Sequence, residues 1–304
     1  LRDYQVGDVM ALHKVQNKYT PLGQLRQKII SEGGISLQTV DYSYNIRGWL
    51  SAINNPSQVS STGDLFGMNI YYNTINQGLN NTARFNGNIS ATEWQTVQTS
   101  SSLTPPTTGR KAYVYSYDEL SRLENAVFSE YTSGAWQQTS KYNELIKSYD
   151  LNGNIKGIER KGSLSNWNTD IIDNLTYYYN GNQLIAVDDA VLTNNGYDFY
   201  DNANFFNGTL PEYEYDANGN VIKDANKGII GITYNHMNLP KEVYFSKDSK
   251  LDYYYDATGN KLRQDVIEAK ILTKRTDFIS NFVIVNNAPA WINFDEGRVI
   301  MDGT

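Results

Sequence analysis

With cysteine missing and histidine nearly so, carboxylates are the chemistry-bearing residues to weigh first. The 304 residues hold two histidines, His13 and His236, and no cysteine. Thiol nucleophiles, thiolate metal sites and disulfides are therefore excluded. The usual general base and zinc ligand is nearly absent too. His13 lies in a polar stretch without a motif around it, and His236 stands inside a turn-like phrase, Asn235-His236-Met237-Asn238. Two acidic pairs, Asp188-Asp189 and Asp295-Glu296, have the residue types for acid–base work on a glycoside. Adjacent residues of a strand point to opposite faces, so neither pair converges on one substrate. A glycoside hydrolase built from one member of each pair is the hydrolytic alternative.

Two phrases, Asp150-Leu151-Asn152-Gly153-Asn154 and Asp216-Ala217-Asn218-Gly219-Asn220, place oxygens as the first half of a calcium loop does. Such a loop needs a bidentate Glu at its twelfth position, where this chain has Lys161 and Lys227. A third phrase, from Asp256, reaches Ile267 at that position. Turns, not metal loops, are expected. Gly228-Ile229-Ile230-Gly231 lacks the spacing of a phosphate cradle. The aromatic residues offer another chemistry, because ring faces stack on sugars. Of Trp49, Trp94, Trp136, Trp167 and Trp291, Trp136 and Trp167 lie in polar, loop-like stretches and are expected to be exposed. A cell-surface adhesin or glycan-binding surface is thus the non-enzymatic alternative. The expectation for catalytic residues, cofactors and metals is none.

The elements that would hold these residues are legible in the composition. The chain has 24 Tyr, 23 Gly, 13% aromatic residues and only 4 Met. Tyr favours strands, while Gly and Asn tolerate positive φ and mark tight turns. No heptad or sustained three-four periodicity appears. The net charge of −7 and the pI near 5.0 argue against sequence-independent nucleic-acid binding, which needs a basic surface. No run of about 18 apolar residues exists to span a membrane as a helix. No basic, apolar leader opens the chain, so any export signal is expected to lie outside this piece or to be absent.

One phrase recurs along the chain: alternating tyrosines, Asp or Asn, two spacers, Gly, a polar residue, then an apolar return. Its clearest copies carry Tyr215, Asp216 and Gly219, and Tyr255, Asp256 and Gly259. Others carry Tyr149, Asp150 and Gly153; Tyr44 and Gly48; Tyr117 and Asp118; and Tyr179 and Gly181. Tyr234 leads a copy in which Asn238 takes the Gly position, and a weak copy runs from Tyr19 to Leu25. The turns at Gly219, Asn238 and Gly259 are roughly 20 residues apart, a length that suits two short strands and two turns. Longer steps elsewhere imply inserted loops, near 53–64 and 98–110. Tyrosines two apart share a strand face and would meet those of the next repeat. The Asp or Asn would bond its own backbone two residues on, and the Gly would take the left-handed conformation.

The phrase Tyr-x-Tyr-Asp-x-x-Gly-Asn with a return strand resembles the YD repeats of Rhs proteins, a family that includes bacterial polymorphic toxins and, more distantly, animal teneurins. The resemblance covers roughly residues 15–300, and about eight copies in one chain make it specific. Two stretches resemble the Bacteroidetes version. One is Asp41–Leu50 with Phe85–Ser90 and Trp94; the other is Thr276–Val283 with Asp295–Val299. The resemblance implies an all-β antiparallel sheet winding into part of a hollow, cocoon-like shell with few helices, here as one segment over 1–304. It implies a non-catalytic scaffold of a secreted or cell-surface protein that encloses, carries or presents a C-terminal effector domain. It also implies a fragment of a longer polypeptide, lying before the core-associated segment. Expected partners are the rest of that polypeptide, secretion machinery or a surface partner, and a glycan. In several members an aspartyl autoproteolytic site releases the passenger, but no stretch here matches it and no catalytic residue is carried over.

Overall fold

The computed structural model describes residues 2–4, 13–97, 109–164, 168–191, 198–201, 210–295 and 297–301. The Gln98–Thr108 part of the expected loop, Trp167 and Glu296 lie outside the described residues. The chain divides into two compact units, Leu1–Tyr149 with Gly157–Asn174, and Asp150–Lys156 with Leu175–Thr304.

The first unit is a succession of strands: β1 (Arg2–Tyr4), β2 (His13–Tyr19), β3 (Leu25–Glu32), β4 (Ile35–Tyr44), β5 (Leu50–Ile53), β6 (Phe66–Tyr71), β7 (Ala91–Thr96), β8 (Lys111–Tyr117), β9 (Leu123–Thr132), β10 (Ala135–Gln138) and β11 (Glu144–Tyr149). A one-turn helix, α1 (Val59–Thr62), interrupts them between β5 and β6. From β1 to β9 every strand pairs antiparallel with its sequence neighbour. β10 folds back on the end of β9, and β11 pairs with the start of β9. The residues of β12 (Ile155–Ser163) and β13 (Thr169–Asn180) are divided between the units.

The second unit continues with β14 (Gln183–Asp189), β15 (Tyr213–Tyr215), β16 (Val221–Asp224), β17 (Gly231–Tyr234), β18 (Pro240–Tyr244), β19 (Lys250–Tyr255), β20 (Lys261–Glu268), β21 (Ile271–Ile279), β22 (Phe282–Val285), β23 (Ala288–Phe294) and β24 (Gly297–Ile300). Here β14 pairs with β13, β15 with β16, and β17 to β24 follow one another antiparallel. The architecture is all-β and antiparallel, with strands in chain order.

Small residues let the first unit close over its own insert. Ala91 on β7 and Ala112 on β8 are fully buried beneath Leu79, with Tyr71, Val114 and Trp136 packed around them. On the opposite face of the same strands the rings of Trp94, Tyr113 and Phe128, followed by that of Tyr142, pack in sequence at centroid distances of 5.7, 5.4 and 5.0 Å. Burial raises the Tyr113 hydroxyl to about 12. The expected loop near 53–64 is ordered: Pro56 and Val59 are fully buried, Asn54 takes φ 47°, and Gly63 ends α1 in the left-handed region. Gly67 on β6 passes so close to this loop that a β-carbon would lie 2.7 Å from the Pro56 nitrogen.

Candidate functional site

The repeated phrase builds one local structure again and again. At Asp150 the carboxylate Oδ1 accepts from the backbone N–H of Asn152 and of Asn154, at 2.9 and 2.8 Å. Its Oδ2 accepts from the Asn154 carboxamide at 2.8 Å. Asp216 repeats this with Asn218 and Asn220, and Asp256 with Thr258 and Asn260. Asp118 does so with Leu120 and Arg122, where the guanidinium replaces the amide. Asn45 and Asn235 supply the same backbone acceptor without the charge. Three residues after the acceptor the backbone turns left-handed, at Gly48, Gly153, Gly219 and Gly259, with φ from 79° to 88°. Ser121 and Asn238 take the position at 65° and 56°. These donors hold the Asp118, Asp150, Asp216 and Asp256 carboxyls below the usual carboxylate range. The anions thus serve as turn locks.

The pairing register shifts immediately before six signature tyrosines: at Ser43/Tyr44, Ser116/Tyr117, Tyr178/Tyr179, Glu214/Tyr215, Thr233/Tyr234 and Tyr254/Tyr255. A bulge re-aims the side chain that follows it. These six hydroxyls, and that of Tyr149, donate to a main-chain carbonyl at the start of the previous hairpin's return strand. Tyr44 donates to Leu25, Tyr117 to Ile89 and Tyr149 to Leu123, at 2.9, 2.7 and 2.6 Å. Tyr179 donates to Ile155, Tyr215 to Leu184, Tyr234 to Val221 and Tyr255 to Pro240, at 2.9, 2.8, 2.6 and 3.0 Å. The sequence-level expectation was ring against ring. The structure instead makes the signature tyrosine a clasp from one hairpin to the backbone of the one before.

Sequence reasoning overlooked one clasp. Tyr72 donates to Leu50 at 3.1 Å, although the insert 73–84 separates it from its turn at Asn86-Gly87-Asn88. Its ring also lies 5.0 Å from that of Trp49, which covers Gly87. Arg47 reaches across to donate to the Phe85 carbonyl at 2.5 Å. The stretches 41–50 and 85–90, far apart in sequence, therefore meet at one corner. Asn182 bridges to Asn152 and Asn154, and Asn238 to Asn218 and Asn220, so neighbouring turns are also stitched by amides.

The other sequence candidates are placed as follows. His236 is exposed at a turn tip. Gly228 takes φ 65° in the turn between Asp224 and Ile229. Trp136 departs from expectation. It stands on β10, half-buried, edge-on to Tyr131 at 5.3 Å, with Arg110 stacked against both rings. The polar stretch around it is a hairpin whose one apolar side chain folds onto the Ala91–Ala112 core. Asp188 and Asp189 on β14 are both buried, and Asp189 N–H donates to Asp201 at 3.2 Å. Close by, Glu212, which carried no motif, is also buried and accepts from the Val187 N–H at 2.9 Å and the Asn226 amide at 2.8 Å. Burial, then the nearby Asp201 and Asp188, push its carboxyl up. Among the described residues no group of three or more Asp, Glu or His side chains could hold a metal.

An open, mainly polar cleft of about 620 Å³ lies beyond the Asp256 turn, lined in part by Asn260, Phe278, Asn281, Asn293, Phe294 and Asp295. Among the described residues no helix is long and apolar enough to cross a membrane.

No protein-family model matches the chain, and no curated protein matches it in sequence. Solved structures do match. The crystal structure of TcdB2-TccC3-TEV aligns over 95% of this chain with a TM-score of 0.52 and 13% identity. That of TcdB2-TccC3-Cdc42 aligns over 96% with a TM-score of 0.51 and 12% identity. The chain spans 14% of the length of each of those chains. At such identities the shared property is the fold. The clasped, antiparallel tyrosine hairpins and these two structures together make this an Rhs-like repeat sheet.

Proposed function

We propose that the chain is a non-catalytic wall segment of an exported Rhs-type protein, whose work is to enclose, carry or present an effector domain of the same polypeptide. The observation that carries this reading is the clasp. From Tyr44 to Tyr255 the hydroxyls are tied to the preceding hairpin, and the turn carboxylates are spent on their own backbones. Such side chains hold a sheet together and leave no positioned acid or base in the repeat itself. The Rhs-like fold supports the same reading. The sequence likeness of residues 41–50 and 85–90 to the Bacteroidetes version is what suggests that type and, with it, a secreted or surface location. The partners are then the remainder of the polypeptide and the export machinery.

The test has two parts. The parent polypeptide, purified whole and treated with a broad protease, should keep a domain beyond Thr304 intact while the same domain expressed alone is degraded. Equal degradation in both contexts would remove the enclosing role. The 304-residue chain should turn over none of a panel of glycoside and peptide substrates, and a turnover that survives repurification would make it a hydrolase.

A further inference from the structure

We propose that the cleft beyond the Asp256 turn is a binding site for a neutral oligosaccharide. In the earlier turns Asn154 and Asn220 each spend one amide proton on their own Asp and offer the other to the next turn, at Asn182 and Asn238. In the Asp256 turn, Thr258 occupies the position of Asn152 and Asn218. Its hydroxyl takes the second contact of the Asn260 amide, at 2.8 Å, so nothing crosses to the next turn on that edge. Ser280 and Asn281 of the next turn line the cleft of about 620 Å³ together with Asp256 and Asn260. Its size is within the range of about 300–1,000 Å³ for small-molecule sites.

The lining defines the ligand class. Among the described residues the carboxamides of Asn281 and Asn293 make no hydrogen bond, although both border the cleft. Each offers a donor pair and an acceptor, which matches vicinal hydroxyls. Phe278 and Phe294 border the same space and provide apolar surface for the C–H face of a sugar ring. The lining carboxylates Asp256 and Asp295 disfavour an anion, and the lining cation, Lys261, has its ammonium 4.5 Å above the Tyr253 ring. A phosphate, a nucleotide or an acidic sugar would therefore be disfavoured. The amide–aromatic pairing is supplied by Asn281 and Asn293 with Phe278 and Phe294, not by the tryptophans that first suggested sugar binding.

Calorimetric titration of the 304-residue chain with cellotetraose, mannotetraose and chitotetraose, and with an oligogalacturonate as anionic control, tests the proposal. At least one neutral tetrasaccharide should bind, and the oligogalacturonate should bind at least tenfold more weakly. The double variant N281A/N293A should lose at least tenfold in affinity while keeping the circular dichroism and melting midpoint of the parent. The milder N281D/N293D pair, which keeps side-chain volume but removes the donors, should lose affinity as well. Failure of all three neutral sugars to bind, preferential binding of the anion, or binding unaffected by both double variants would each overturn the assignment. None of these outcomes bears on whether the repeats form a shell wall.

Discussion

The phenol of each signature tyrosine does two jobs at different ends of the side chain. The ring covers the hairpin, and the hydroxyl satisfies a carbonyl that the bulge would otherwise leave unpaired. Tyr215→Phe keeps the first and removes the second, leaving the Leu184 carbonyl without its 2.8 Å donor. A cost of about 1 kcal/mol in urea unfolding is expected, and an unchanged midpoint would show that water replaces the hydroxyl without loss. The carboxylates at this scale act with opposite signs. Asp150, Asp216 and Asp256 are depressed by their turn donors, so their contribution is present above the unfolded value of 3.8 and is lost as pH falls through the folded value. Glu212 is raised, so folding is favoured below its unfolded value of 4.5 and loses that advantage as pH rises through the folded value. Glu212→Gln removes the buried charge but keeps an acceptor for Val187 N–H or Asn226. Its melting midpoint should exceed the parent's by more at pH 8 than at pH 4. An equal offset at both pH values would show that folding does not raise the Glu212 carboxyl.

At the scale of the element, the hairpin explains why Gly is demanded at one place and tolerated elsewhere. Gly153, Gly219 and Gly259 are needed for positive φ, which Ser121 and Asn238 show can be met at a cost by other residues. Gly67 is needed for another reason, because β6 crosses the backbone of 55–56 with no room for a side chain. Gly67→Ala should destabilise by about 1–3 kcal/mol, since the obstructing atoms are main chain and cannot rotate away. Thermal unfolding checks this, and a shift below a degree would mean that the loop around Pro56 moves aside freely.

For the whole molecule, strands paired in chain order make stability a sum over neighbouring hairpins. Local damage should stay local. Arg275 forms a two-pronged ion pair with the buried Asp265, both contacts at 2.9 Å. Arg275→Ala strands that carboxylate and should destabilise its own hairpins. Hydrogen exchange should accelerate over β20 to β22 and remain unchanged over β2 to β4. A uniform acceleration along the chain would show a single cooperative unit instead.

What the amino-acid sequence determined by itself is what depends on near neighbours along the chain. Strand type, the Asx-locked turns from Asp118 to Asp256 and the approximate hairpin repeat follow from local sterics and hydrogen bonds within five residues. Tertiary structure alone decided what depends on chain segments distant in sequence. The tyrosine hydroxyls find carbonyls 13 to 31 residues back, Tyr72 serves a turn across an insert, Trp136 turns inward, and Glu212 is buried beside Asp188. Nor could composition disclose the cleft. Its lining comes from three stretches, around Asp256, Asn281 and Asp295, that meet only when their hairpins stand side by side.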